Sequence, residues 1–272
     1  MLGDDYPLVT TDTIIITKMM KKTLHYFFPV MAALLLCCCT TCKPKQTTMD
    51  KETPIDMQGS PVMIDDTTVK GLVIYYPQFS RIDLVCEKMP SKQDTNVVFC
   101  AEAAFTHELL DKFEHSNIDG DHVSGGKRYK GAKCRDNSGA FAWFSDSTWE
   151  FVHGEYGELL DSVAEAGGMG FGQAIIFYNS ESIRPLWRDG VNQYRALCEK
   201  EGRLCIVDSR QAVEYEEFVE MLEQFAPTHA LYMDMGAGWN HSWWRDGSGK
   251  AHEIHPVAEK SRYCTNWITF YK

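Results

Sequence analysis

The feature of this sequence that most restricts its fold is a series of short runs rich in β-branched and aromatic residues. They fall at Gly71–Tyr76, Arg81–Cys86, Asn96–Phe105, Gly139–Phe144, Thr148–His153, Phe171–Asn179, Arg203–Asp208, Ala230–Met233 and Asn266–Tyr271. Runs of this length and composition predict strands. Leu72-Val73-Ile74-Tyr75-Tyr76 and Ala174-Ile175-Ile176-Phe177 are continuously apolar, as strands buried on both faces are. Helical patterns are fewer. His107–Phe113 predicts a short helix. Val191–Lys200 predicts a second, with Val191, Tyr194, Leu197 and Cys198 on one face. Val213–Phe225 predicts the clearest one: Tyr215, Phe218, Val219, Leu222 and Phe225 follow three-four spacing, and Glu214, Glu216, Glu217, Glu220 and Glu223 occupy the other side. Strands outnumber helices and do not alternate strictly with them. The predicted class is α+β, a mixed, strand-rich sheet with a few packed helices. It forms a single domain over Val69–Lys272, about 200 residues.

The segment before that domain reads as an address. Lys21 and Lys22 form a basic start, and Leu24–Leu36 is an apolar stretch of the length of a secretory signal. It is shorter than the roughly 20 apolar residues a membrane-spanning helix needs. It ends in Leu34-Leu35-Leu36-Cys37-Cys38-Cys39. Leucine, small residues and a cysteine resemble the lipobox of bacterial lipoproteins, which implies lipidation at Cys39 or Cys38, with Leu36 or Leu35 three positions before. Residues 1–19 precede the start at Met20 and read as upstream of the translated chain. Residues 20–39 read as the lipoprotein signal. Residues 40–68, polar and carrying Pro44, Pro54 and Pro61, read as a flexible tether. The expected location is a bacterial cell envelope, with a lipid anchor in a membrane facing the periplasm or cell surface.

The charge balance bears on partners. Twenty-seven Lys and Arg stand against 38 Asp and Glu, net −11. No basic run interrupts that acidity, so a nucleic-acid partner is not expected. No P-loop and no Ser-His-Asp order is visible. His252-Glu253-Ile254-His255 is one residue short of a zinc-binding HExxH helix. Asn117–Arg128 (NIDGDHVSGGKR) misses the EF-hand spacing. No metal or cofactor is expected. Gly125-Gly126-Lys127-Arg128 reads either as a surface loop or as an anion cradle of backbone N–H groups and cations. Cys86, Cys100, Cys134, Cys198, Cys205 and Cys264 are open between disulfides and buried thiols, with Cys198 and Cys205 flanking a predicted helix–strand turn.

Two carboxylates draw attention. Asp234 follows an apolar strand and precedes Gly236 and Gly238, where backbone approaches ligands closely. Glu102, within Phe99-Cys100-Ala101-Glu102-Ala103-Ala104-Phe105, lies in an apolar setting that raises a carboxyl pKa and suits a general acid. Trp239, Trp243 and Trp244 cluster beside Asn240 and Arg245. Indole faces stack on sugar rings; packing beneath the loop is the other reading.

Three segments carry a resemblance: Asn96–Thr106 (NVVFCAEAAFT), Gly170–Asn179 (GFGQAIIFYN) and Val213–Arg245, which ends ALYMDMGAGWNHSWWR and follows the strand Arg203–Arg210 (RLCIVDSR). Their order resembles the phosphodiester glycosidase family, the uncovering-enzyme-like domain, as a divergent bacterial lipoprotein member. The family pattern runs from Asn-Gly-Gly-aromatic, through a strand opened by an Arg-led motif, to Asp-Gly-Gly-Gly-Ser. Glu102-Ala103-Ala104-Phe105, Gln173-Ala174-Ile175-Ile176 and Asp234-Met235-Gly236-Ala237-Gly238 stand in those places. The resemblance implies hydrolysis of the glycosidic bond of a sugar-phosphate diester in a cell-wall, capsular or host glycan. Glu102 and Asp234 would be catalytic. Gln173, Arg128, Arg184, Trp239, Asn240, Trp243 and Arg245 would bind substrate. Gln173 lacks the charge of the family's arginine. That departure, with Ala103-Ala104, favours the alternative, a catalytically inactive glycan-binding surface lipoprotein of the same fold; Asp234 speaks against it.

Overall fold

A computed structural model describes residues 59–106, 117–131, 138–183, 190–235, 241–255 and 264–272. The predicted helix at His107–Phe113, the lipobox cysteines and Cys134 lie outside them.

Among the described residues the chain forms three antiparallel sheets and two helices. The largest sheet contains β1 (Val62–Asp65), β2 (Leu72–Pro77), β10 (Ile175–Tyr178), β11 (Glu181–Ser182), β12 (Arg195–Lys200), β13 (Arg203–Ser209) and β14 (His229–Met233), in the order β1-β2-β13-β12-β14-β10-β11. A second sheet has the order β16-β15-β4-β17-β3, with β3 at Arg81–Cys86, β4 at Val97–Glu102, β15 at Trp243–Arg245, β16 at Ala251–Glu253 and β17 at Asn266–Tyr271. The third has the order β6-β5-β9-β7-β8, from β5 (His122–Ser124), β6 (Lys127–Tyr129), β7 (Gly139–Trp143), β8 (Trp149–His153) and β9 (Met169–Gln173).

The inner faces of the three sheets share one core. Tyr75, Leu197, Ile206, Leu231 and Met233 come from the first sheet, Phe99, Ala101, Ile268 and Phe270 from the second, and Phe141, Met169 and Phe171 from the third. Strand alternation accounts for the other faces. On β12, Leu197 enters the shared core, while Ala196 and Cys198 turn to the helix α2 (Tyr215–Phe225). That helix buries Tyr215, Phe218, Val219, Met221, Leu222 and Phe225, each large side chain contributing roughly 1.5–3 kcal/mol. It ends at Ala226, whose left-handed backbone returns an N–H to the Leu222 carbonyl, ahead of Pro227, which cannot extend the helix. The helix α1 (Gly157–Glu165) covers the third sheet through Leu159, Leu160 and Val163.

The α+β, strand-rich class stands, and so does the helix expected within Val213–Phe225. Three local expectations are corrected. Val191–Lys200 is not a helix: its second half is β12, a central strand paired with β13 and β14. The turn that forces this is Glu201-Gly202, both at positive φ (53° and 71°), which closes a two-residue hairpin between Lys200 and Arg203. Phe171–Asn179 is not one strand but two, β9 and β10, in different sheets. The folded part starts before Val69, because β1 pairs with β2 along Val62–Asp65 and Val62 is buried.

Candidate active site

The site is assembled where β4, β12 and β14 end near one another. At the end of β4 the chain leaves the sheet through Ala103 and Ala104, and Asn266 holds that exit. Its carbonyl accepts the Ala103 N–H at 3.3 Å, its Oδ1 accepts the Ala104 N–H at 2.8 Å and its Nδ2 donates to the Ala104 carbonyl at 2.9 Å. The side chain thus imitates one more residue of β-ladder and fixes the backbone immediately after Glu102. Asp234 closes on the same turn: its N–H donates to the Ala103 carbonyl at 2.7 Å, and its Oδ2 accepts the Thr106 N–H at 3.3 Å.

Glu102 is fully buried. Cys264 Sγ donates to its Oε2 at 2.9 Å, and Oε1 has no hydrogen-bond partner among the described residues. Burial pushes its carboxyl well above the usual range, and the negative charge of Asp234 adds to that. The Cys264 thiol and the Arg195 guanidinium oppose the shift without cancelling it. Burial beside a second carboxylate favours the neutral form of a carboxyl, which suits it to act as an acid.

Arg195 opens β12 and faces the same interior. It too is fully buried. Its Nε and Nη2 donate to Asp208 Oδ1 and Oδ2, each at 2.6 Å, in a fork-to-fork pair. Nη1 donates to Ser242 Oγ. Burial alone would raise the Asp208 carboxyl, but the Arg195 charge brings it below the usual carboxylate range. His255 stands behind Asp208, Nε2 to Oδ2 at 3.5 Å, with Gln193 Nε2 3.4 Å from its Nδ1. Buried desolvation weighs against the Arg195 charge, yet Asp208 holds it firmly protonated.

Gln173 ends β9 at the point where the chain crosses from the third sheet into the first. The next carbonyl, of Ala174, accepts the Tyr232 N–H at 2.8 Å, two residues before Asp234. Gln173 is buried, and its Nε2 has no partner among the described residues.

The structure thus brings Glu102 and Asp234 together on one turn and leaves Gln173 close to Asp234 along the backbone. It does not bring the other described candidates to them. Arg128 is spent on Asp121 Oδ2 (2.7 Å), Asp161 Oδ1 (2.5 Å) and the Gly157 carbonyl (2.8 Å), tying the β5–β6 hairpin to α1. The anion cradle expected at Gly125-Gly126 is the two-residue turn of that hairpin, with both glycines at positive φ. Arg245 donates to the carbonyls of Val97, Gly249, Lys92 and Asp94. Val97 is the far end of β4 from Glu102, about 16 Å away along an extended strand. Trp243 and Trp244 are strand residues of β15: Trp243 is buried opposite Cys100, and Trp244 stacks on His252 at 4.6 Å. They are core and not a sugar platform. Arg184, Trp239 and Asn240 lie outside the described residues.

Sequence reasoning missed Arg195, Asp208, Cys264 and Asn266. The strand opened by an arginine is β12, Arg195-Ala196-Leu197-Cys198, and not β10 after Gln173. The hairpin turn at Glu201-Gly202 was the signal that could have revealed it.

The architecture is that of a strand-rich α+β domain whose carboxylates and arginine meet at strand ends. No protein-family model matches the chain, and no curated protein matches it in sequence. Solved structures do match. The catalytic domain of zebrafish N-acetylglucosamine-1-phosphodiester alpha-N-acetylglucosaminidase, auto-inhibited by its pro-peptide, aligns with a TM-score of 0.54 and 12% identity, over 78% of this chain and 83% of that one. A hypothetical protein from Synechocystis aligns with a TM-score of 0.53 and 10% identity, over 79% of this chain and 62% of that one. At these identities the likeness is one of fold: the chain has the fold of a phosphodiester glycosidase catalytic domain.

Proposed function

We propose that this protein is a hydrolase that cleaves the glycosidic bond of a sugar-phosphate diester in a cell-wall, capsular or host glycan. The observation that carries the reading is the pairing of Glu102, buried with one carboxyl oxygen unpartnered, with Asp234 on the same turn, opposite a buried Arg195 fixed by Asp208. Neutral Glu102 gives its proton to the phosphate oxygen leaving the anomeric carbon. Asp234 balances the positive charge that develops on the sugar ring. Arg195 supplies the charge that Gln173 lacks. Asp208 and Ser242 orient it, and among the described residues three of its five N–H groups are committed. Its fork geometry suits a phosphate with the remaining two. The fold of the zebrafish enzyme domain agrees with this chemistry without specifying the glycan. On the address read between Lys21 and Cys39, the enzyme is a lipoprotein of a bacterial cell envelope, anchored through Cys38 or Cys39.

Phosphorus NMR of the purified protein with a panel of sugar 1-phosphate diesters tests the reaction. The expected result is conversion of diester to phosphate monoester with release of reducing sugar, reduced about 10²–10⁴-fold by Asp234→Asn or Glu102→Gln. Saturable glycan binding with no turnover in the wild type would favour the binding-module alternative.

A further inference from the structure

Among the described residues, Cys264 is the one side chain hydrogen-bonded to Glu102, and neither composition nor motif singles it out. It precedes β17, while Glu102 ends β4; they are 162 positions apart in sequence. A thiol donates a single hydrogen, and the carbonyl oxygen of a neutral carboxyl is a better acceptor than its hydroxyl. With the thiol as donor at this 2.9 Å contact, Oε2 is the carbonyl oxygen and the proton of the neutral carboxyl stands on Oε1.

We infer that Cys264 is a positioning residue for Glu102: by holding Oε2, its thiol leaves Oε1, which has no partner among the described residues, to carry the proton toward substrate. This rests on the hydrolase reading above and adds to it the atom that acts. The step balances. The O–H bond at Oε1 breaks as the proton forms a new O–H bond on the departing phosphate oxygen, and the glycosidic C–O bond breaks with its electron pair on that oxygen. Glu102 becomes a carboxylate that keeps the thiol hydrogen bond at Oε2. The water that then adds to the anomeric carbon returns a proton to it.

The groups around this carboxyl limit what else can move its titration. Asp234 faces it from the end of β14 and Arg195 from β12. Cys100 lies two positions earlier on its own strand, where it accepts a long contact from the Thr269 hydroxyl at 3.9 Å. Burial and the neighbouring carboxylates push the Cys264 thiol up, so it stays a donor through neutral pH. Trp243 and Trp267 pack beside Cys264 and carry no charge.

The test uses Cys264→Ala, which removes the donor, and Cys264→Ser, which keeps one on a small side chain. Infrared difference titration reads the Glu102 carboxyl directly, identified as the band that Glu102→Gln abolishes. Because the thiol bond favours the ionised form, Cys264→Ala should move the Glu102 titration to higher pH, with Cys264→Ser moving it back. The alkaline limb of the pH–rate profile on the diester should move the same way. Turnover should fall at unchanged KM, by less than the about 10²–10⁴-fold expected for Glu102→Gln. A Glu102 band that titrates identically in wild type and Cys264→Ala overturns the inference, since a packing role alone would leave it in place. A shifted band in a protein that hydrolyses no diester overturns the hydrolase reading while the hold of Cys264 on Glu102 stands.

Discussion

Replacing Glu102 by Gln should stabilise the protein, and the gain should grow with pH. Glu102 is held neutral in the folded protein, well above its ordinary value of 4.5, whereas the unfolded chain ionises it at that ordinary value. Above this pH the unfolded state sheds a proton that the folded state keeps, so each further unit disfavours folding. The slope for one proton is about 1.4 kcal/mol per pH unit. It persists until the folded-state carboxyl itself ionises, and vanishes below the ordinary value. Gln has nearly the same shape, accepts the same thiol hydrogen bond through its amide oxygen, and does not titrate. A domain of this size shifts by about 2–4 °C per kcal/mol. The difference in Tm between variant and wild type should therefore open by about 3–6 °C per pH unit above the ordinary glutamate range, and close below it. Thermal melts followed by circular dichroism at half-unit steps from pH 4 to 8 measure it. Other buried acids, Asp208 among them, are common to both proteins and largely cancel in the difference. Two melting curves that stay parallel across that range would refute the claim that Glu102 is neutral in the fold.

The other predictions follow from the same interior. Arg195→Met leaves Asp208 buried without its guanidinium partner and should cost about 3–5 kcal/mol in urea unfolding; the double change Arg195→Met with Asp208→Leu should recover much of that stability but no activity. Gln173→Arg should lower Tm and not improve diester affinity, because it buries a second cation where the Gln173 amide nitrogen has no hydrogen-bond partner among the described residues; an unchanged melt with tighter binding would show that Gln173 faces an open anion site. Replacing Cys37, Cys38 and Cys39 together by Ser should abolish fatty-acid labelling of the protein made from Met20 and release it from membranes; labelling that persists would remove the lipobox.

What the sequence made legible was whatever one element carries by itself. Alternation and apolar runs marked β2, β3, β7, β8, β13, β14 and β17, and three-four spacing marked α2. The strand-end placement of Glu102 and Asp234 was legible because each sits where an apolar strand meets small residues. The Arg195–Asp208 pair was not, for two physical reasons. Val191, Tyr194, Leu197 and Cys198 happen to fall at helical spacing, and short apolar runs do not decide between helix and strand. The hairpin that settles the matter turns on Glu-Gly, a less conspicuous pair than Asn-Gly. Trp243 and Trp244 misled in the opposite direction, because polar neighbours in sequence conceal a three-residue strand paired between β4 and β16. Cys264 and Asn266 act on Glu102 and Ala104 across 162 positions, and no local pattern encodes such a contact. Cys198 and Cys205, expected to flank a helix–strand turn, are instead directly opposed on β12 and β13, both as free thiols.

The most direct test of a site built from Glu102, Asp234 and Arg195 is a crystal structure of the protein with a glycosyl phosphonate that cannot be hydrolysed. The account predicts the phosphonate oxygens within hydrogen-bond distance of Arg195 and the anomeric carbon between Glu102 Oε1 and the Asp234 carboxylate. A phosphonate bound at the β5–β6 hairpin near Arg128, or anywhere that leaves Glu102 Oε1 without contact to the ligand, would contradict it.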